Sequence, residues 1–144
     1  MKIGFLPLYV MLYDEFTPAS RSEHEKFYEE VAKIYESKGV EVVRSPLCRV
    51  DAEFRSAVAL FEKENVDAVV TLHMAYSPSL ESVEALSETK LPIVVLDTTS
   101  YPDFTNEQTP AAITYCHGIH GVMDMCSMLT RRGKQYAIAA GHYK

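Results

Sequence analysis

Residues 68–73 read Ala-Val-Val-Thr-Leu-His, and this stretch decides the fold. It is almost wholly apolar and shows no alternation between a wet and a dry face. A strand of that kind is covered on both sides, which is the habit of parallel sheets flanked by helices. Two further stretches have the same character, Ile3–Val10 before it and Ile93–Leu96 after it. Val40–Arg44 is short and partly alternating, which predicts an edge strand, and Tyr136–Ala140 supplies a fifth. Helical spacing fills the gaps: Phe27, Val31, Ile34 and Tyr35; then Phe54, Val58 and Phe61; then Leu80, Val83 and Leu86; then Val122, Met125, Cys126 and Leu129. Start signals are present as well. Ser20-x-x-Glu23 and Ser22-x-x-Glu25 read as overlapping capping boxes, Asp51 as a cap, and Ser77-Pro78 as a cap with its first helical residue. Gly39 stops the first long helix, and Arg131, Arg132 and Gly133 close the last one.

Five strand–helix alternations imply a parallel sheet with right-handed crossovers. With the three most apolar strands central, the order is 2-1-3-4-5: an α/β, flavodoxin-like three-layer sandwich in one domain, residues 1–144. No helical pattern follows the fifth strand, so the helix that would close one face is expected to be missing. Either the chain is a piece of a longer protein, the favoured reading, or something else covers the gap, since bare apolar sheet is costly.

Composition narrows the function. Hydrophobic residues make up 47% and charged residues 24%, as in an ordinary globular domain. A net charge of −6 argues against nucleic acid, whose phosphates call for a basic face. No apolar run approaches the roughly 20 residues of a membrane span, and the N-terminus lacks the marks of a signal peptide. Cys48, Cys116 and Cys126 are odd in number with no Cys-x-x-Cys spacing, which suits reduced thiols and predicts a cytoplasmic location.

In such a sheet, ligands gather at the carboxyl ends of the strands. The loops expected there are Tyr9–Asp14, His73–Ser77, Asp97–Gln108 and the turn at His117 and His120, with His142 just past the last strand. They are rich in Tyr, His and Asp and poor in positive charge, which favours a neutral polyol over a phosphate ester. No glycine-rich loop follows the first strand, which argues against a nucleotide. The stretch Cys116-His-Gly-Ile-His-Gly121 reads as a helix entrance with spare backbone N–H groups and room for a ligand. Structural readings compete at each place. The glycines could simply turn the chain, His73 could bond a carbonyl, Asp97 could tie down its own loop, and Tyr9 and Tyr13 could cover apolar surface. His117 and His120 lack a nearby carboxylate for a metal, and a Cys116–His120 nucleophilic pair lacks an orienting third group.

Three places together resemble the N-terminal domain of the L-fucose/L-arabinose isomerase family. They are Phe5-Leu6 through Leu12-Tyr13, the turn His73-Met74-Ala75-Tyr76-Ser77-Pro78, and His117-Gly118-Ile119-His120-Gly121 with the later Gly141-His142-Tyr143. The resemblance implies an aldose–ketose isomerase, homo-oligomeric, with manganese and the acid–base carboxylates in later domains. This chain would then hold no catalytic residue and no metal ligand. It would lend a substrate-binding wall made of Leu12, Tyr13, His117 and His120, with His73 close behind, to a sugar site shared with an adjacent subunit or later domains. Val10 and His117 stand where the family has glutamines, which implies a sugar other than L-arabinose. The leading expectation is therefore a substrate-binding and assembly domain that is inactive alone. The alternatives are a stand-alone flavodoxin-like module that binds a small ligand or regulates, and a small lyase or isomerase using His120 and Asp97 as acid and base.

Overall fold

The apolar runs do form one parallel sheet. The computed structural model describes residues 1–103 and 105–144; Phe104, inside the expected polar loop, lies outside the described residues. The strands are β1 (Lys2–Leu8), β2 (Glu41–Arg44), β3 (Ala68–His73), β4 (Ile93–Asp97) and β5 (Tyr136–Ala140). Their order is β2-β1-β3-β4-β5, all pairs parallel, with Leu8 opposite His73 and Leu96 opposite Ala139. This is the expected flavodoxin-like arrangement. The central strands are buried as their composition requires, and β2 lies at an edge.

The helices are α1 (Leu12–Phe16), α2 (Arg21–Ser37), α3 (Asp51–Lys63), α4 (Val83–Glu88) and α5 (Gly118–Arg131). Strand side chains alternate between two cores. Leu6, Leu8, Val69, Ile93 and Val95 pack with Phe54, Phe61, Leu86, Met125 and Leu129 from α3, α4 and α5. Ile3, Phe5, Tyr9, Val70 and Leu72 pack with Phe27, Tyr28 and Val31 from α2. Tyr28 drops its hydroxyl through this second core to donate to the Phe5 carbonyl at 2.9 Å.

α2 stands alone over its face, so the sheet is least covered at β5. Ile138 is 54% exposed on the α5 side. On the α2 side an open groove of about 310 Å³ runs between Val31, Ile34 and Tyr35 and the residues Leu96 and Ala139. Among the described residues no helix follows β5.

Several start signals are realised differently. Ser20 does not cap α2; its hydroxyl donates to the Thr17 carbonyl at 2.8 Å, and Glu23 pairs with Lys26 instead of reaching back. Asp51 is the first helical residue of α3, not its cap, and its N–H is satisfied by the Glu81 carboxylate at 3.1 Å. Pro78 is extended, with ψ 120°, so it does not open a helix. A 3-10 turn at Ser79–Glu81 intervenes, and Leu80, expected to face inward, is 72% exposed. The competing hydrogen bonds of the turn explain this: Ser79 is held by Asp124 of α5 through its N–H at 3.1 Å and its hydroxyl at 2.5 Å.

β1 approaches α3 closely because Gly4 has no side chain; a Cβ there would run into the ring of Phe61. Gly4→Ala should therefore cost about 1–3 kcal/mol, the usual penalty of overpacking. Shrinking the ring in Gly4→Ala/Phe61→Leu should recover part of it. Urea denaturation of the three chains reads this out, and additive losses in the double variant would refute the contact as the cause.

Candidate functional site at the carboxyl edge of the sheet

Four loops meet where the strands end, and hydrogen bonds tie them together. After β1, α1 is fixed by Asp14, whose carboxylate takes both Arg21 of α2, at 2.9 Å, and Arg49 of the β2–α3 loop, at 2.7 Å. Burial works against this carboxylate, but the two guanidiniums outweigh it and hold its pKa below the ordinary range. After β3, Ser77 donates to the Tyr9 carbonyl at 3.3 Å, which joins that loop to the first. The Ser79–Asp124 bonds join it in turn to α5. The β4–α5 connection ends in a 3-10 turn at Pro110–Tyr115, after which α5 begins.

α5 starts very close to the end of β3. A Cβ on Gly118 would stand 2.5 Å from the His73 carbonyl oxygen, and one on Gly121 would stand 2.6 Å from the His73 ring. The two glycines are thus a packing device: they let the first turn of the helix sit on the strand end. His73 is consequently 1% exposed beneath α5, and among the described residues neither ring nitrogen has a hydrogen-bond partner.

The sequence-derived residues separate into groups. Tyr13, His117 and His120 come together: the Tyr13 hydroxyl lies 3.5 Å from His117 Nδ1, and the His117 and His120 rings meet edge to face at 5.3 Å. Leu12 is on α1 beside Tyr13, with its side chain largely exposed. His73 is walled off below them. Asp97 lies on the α5 side of β4, half-buried, with its pKa raised by burial. Its carboxyl makes no side-chain hydrogen bond to His120 or to any other described residue. His142 is exposed at the far end of the sheet and accepts from the Lys144 N–H at 3.3 Å. Among the described residues, no three His, Cys, Asp or Glu side chains converge as a metal site would require.

The structure adds three residues that the sequence reading passed over. From Tyr13 the ring contacts continue to Tyr9 at 5.9 Å, to His24 at 5.2 Å, to Tyr115 at 4.8 Å and to Tyr101 at 6.1 Å. Together with His117 and His120 they make an unbroken row of aromatic and imidazole rings across the carboxyl edge. His24 was legible in principle. It stands three residues before Phe27 and seven before Val31, on the stripe of α2 that faces inward. Tyr115 and Tyr101 carried no such signal, because loop residues have no period to betray their partners.

No protein-family profile matches this chain, and no curated protein matches it. Solved structures do resemble it. The transcriptional repressor ascG of Escherichia coli does so at 16% identity and a TM-score of 0.42, covering 100% of this chain and 60% of that one. The fructose-binding periplasmic domain of a hybrid two-component system follows at 13% and 0.41, covering 99% and 64%. A periplasmic sugar-binding protein of an ABC transporter from Legionella pneumophila gives 13% and 0.40, covering 96% and 59%. The chain thus spans about three-fifths of the length of these proteins, and likenesses of this size assign it no ligand. They do correct the expected kinship with the L-fucose/L-arabinose isomerase family. No profile or curated isomerase matches, and these structures are a repressor and sugar-binding domains, not isomerase domains. Part of the motif behind that expectation has a local cause, since Gly118 and Gly121 serve the packing of α5 on His73. No helix of the described residues is long and apolar enough to cross a membrane.

His24 and His73 are held neutral, burial lowering each pKa from 6.5 to about 4; the Met74 carbonyl near His24 favours its protonation slightly but is not aligned as a hydrogen-bond acceptor. Between those values the unfolded chain binds protons that the folded chain refuses. Stability is therefore complete above pH 6.5 and is lost as the pH falls toward 4, by up to about 3 kcal/mol per histidine. Urea denaturation stepped down from about pH 7 should show this slope, and His24→Phe, which keeps a ring on Tyr115, should remove about half of it. An unchanged slope would mean that His24 titrates normally.

Proposed function

We propose that this chain is a ligand-binding domain that takes a small, uncharged, polyhydroxylated molecule of the sugar or polyol class at the carboxyl edge of its sheet. The observation that carries this reading is the trio Tyr13, His117 and His120. It offers a hydroxyl and two imidazoles side by side, over a helix entrance, at the place where open parallel sheets receive ligands. Such groups both donate and accept, as a row of hydroxyls demands. Arg21 and Arg49 share Asp14, and each also holds a glutamate, Glu25 and Glu53, so neither guanidinium is free for a phosphate.

Isothermal titration of the chain with a panel of pentoses, hexoses and pentitols should reveal saturable binding to at least one. Tyr13→Phe and His117→Ala should each weaken it by about 5- to 20-fold, the worth of one lost hydrogen bond. Glu84→Ala, which breaks only the surface pair with Arg132 near the opposite end of α5, should leave it unchanged. Failure of every neutral ligand, or tighter binding of sugar phosphates, would overturn the proposal.

A further inference from the structure

Tyr9 and His24 are both fully buried, and both hold polar atoms that nothing satisfies. The Tyr9 hydroxyl and both His24 nitrogens lack hydrogen-bond partners among the described residues. The Ser20 hydroxyl, close to that of Tyr9, donates to the Thr17 carbonyl. Buried donors and acceptors without partners are rare, because each forfeits its water without recompense. Tyr115 covers His24, its ring tilted 32° at 4.8 Å, and the His24 ring meets that of Tyr9 at 5.2 Å. The other side of Tyr115 is already open space: it lines a groove of about 300 Å³ with Phe27, Tyr101 and Tyr143. One tyrosine ring therefore stands between an accessible aromatic groove and two sealed side chains with unsatisfied polar atoms. The segment bearing it is lightly held. Of the 3-10 turn Pro110–Tyr115 only Ala112 is buried, and short turns with few buried contacts open at low cost.

We infer that Tyr115 is a gate, and that when its ring leaves His24 the groove extends inward to His24 and Tyr9 and becomes one site for a single ring-sized polyol. The ligand's C–H face lies on the tyrosines, and its hydroxyls reach the Tyr9 hydroxyl and the His24 imidazole. The ligand class follows from the walls. Glu23 is paired with Lys26 at 2.6 Å, and Glu30 accepts from the Tyr143 hydroxyl at 2.8 Å with Lys144 Nζ 3.9 Å away, so the groove's carboxylates and ammoniums match in number and a neutral guest disturbs neither pair. Aromatic faces and neutral donors remain. This inference rests on the reading proposed above and extends it inward from Tyr13, whose ring already touches that of Tyr9.

Carbethoxylation by diethyl pyrocarbonate, followed by peptide mass spectrometry, tests the gate. His142 serves as the exposed reference and His73 as the sealed one. In the unaltered chain His24 should react more slowly than His142 but about tenfold or more faster than His73, reporting transient opening. Tyr115→Ala should bring His24 to within a few-fold of His142, and saturating xylitol should protect His24 while leaving His142 unaffected. Equal protection of His24 and His73 in both chains would overturn the gate. If Tyr115→Ala does not fold, which a reactive His73 would report, the ratio of His24 to His73 in the unaltered chain decides alone. A His24 that opens but that no polyol protects leaves the gate standing and removes the polyol from it. Calorimetric binding of a polyol with His24 still sealed removes the gate and keeps the outer site.

Discussion

The carboxyl edge depends on how closely α5 approaches the end of β3. A helix normally keeps its axis away from a neighbouring backbone by the depth of its side chains. Gly118 and Gly121 remove that depth at two points one turn apart, and both empty positions face His73. The helix thereby reaches the strand end, seals the His73 imidazole, and sets His117 and His120 at the rim rather than above it. Asp124, two turns into α5, locks the register by taking the N–H and hydroxyl of Ser79. The placement of the rim histidines follows from an absence of side chain at one pair of residues and a carboxylate at another.

Sealing has an electrostatic consequence. An imidazole that cannot reach water resists protonation, and His24 and His73, on opposite faces of the sheet, are both kept neutral by burial. Apart from Asp97, charged groups of the edge are drawn into ion pairs, Asp14 with two arginines on the β1 side and Glu23 with Lys26 on α2. What is left between them is a band of neutral rings. Neutrality here comes from two separate mechanisms, desolvation of the imidazoles and mutual cancellation of the ions. A charged ligand would have to undo one or the other.

The sheet was readable from composition because a strand covered on both faces can afford almost no polar residue, a condition that β1, β3 and β4 meet; β5 meets it too, although it lies exposed at the open edge. β2, with Glu41 and Arg44 at its ends, declared itself an edge by the same rule. The helix starts were less legible. Ser20 had a choice of acceptors and took the Thr17 carbonyl, while Pro78 was drawn into an extended turn by the grip of Asp124 on Ser79, a contact 45 residues away. Local capping patterns describe what a residue can do, and a tertiary partner decides what it does. The site divided along the same line. Tyr13, His117 and His120 could be placed together because the ends of parallel strands locate the loops that bear them. His24 was hidden on a helix stripe that reads as core, and Tyr115 and Tyr101 in a connection without periodicity.

The two glycine-flanked histidines bear on how sequence resemblance should be weighed. A His-Gly-x-His-Gly stretch can persist because a ligand needs the imidazoles or because a strand end needs the glycines, and the stretch itself is silent on which. Here the glycine positions are fully accounted for by the carbonyl oxygen and ring of His73, whereas nothing in the packing requires His117 or His120 to be histidine. The two rings meet each other, and His117 lies beside the Tyr13 hydroxyl. The packing argument therefore explains half of the motif and leaves the other half over. That remainder, polar and at the open edge of a parallel sheet, is the part on which the proposed ligand site rests.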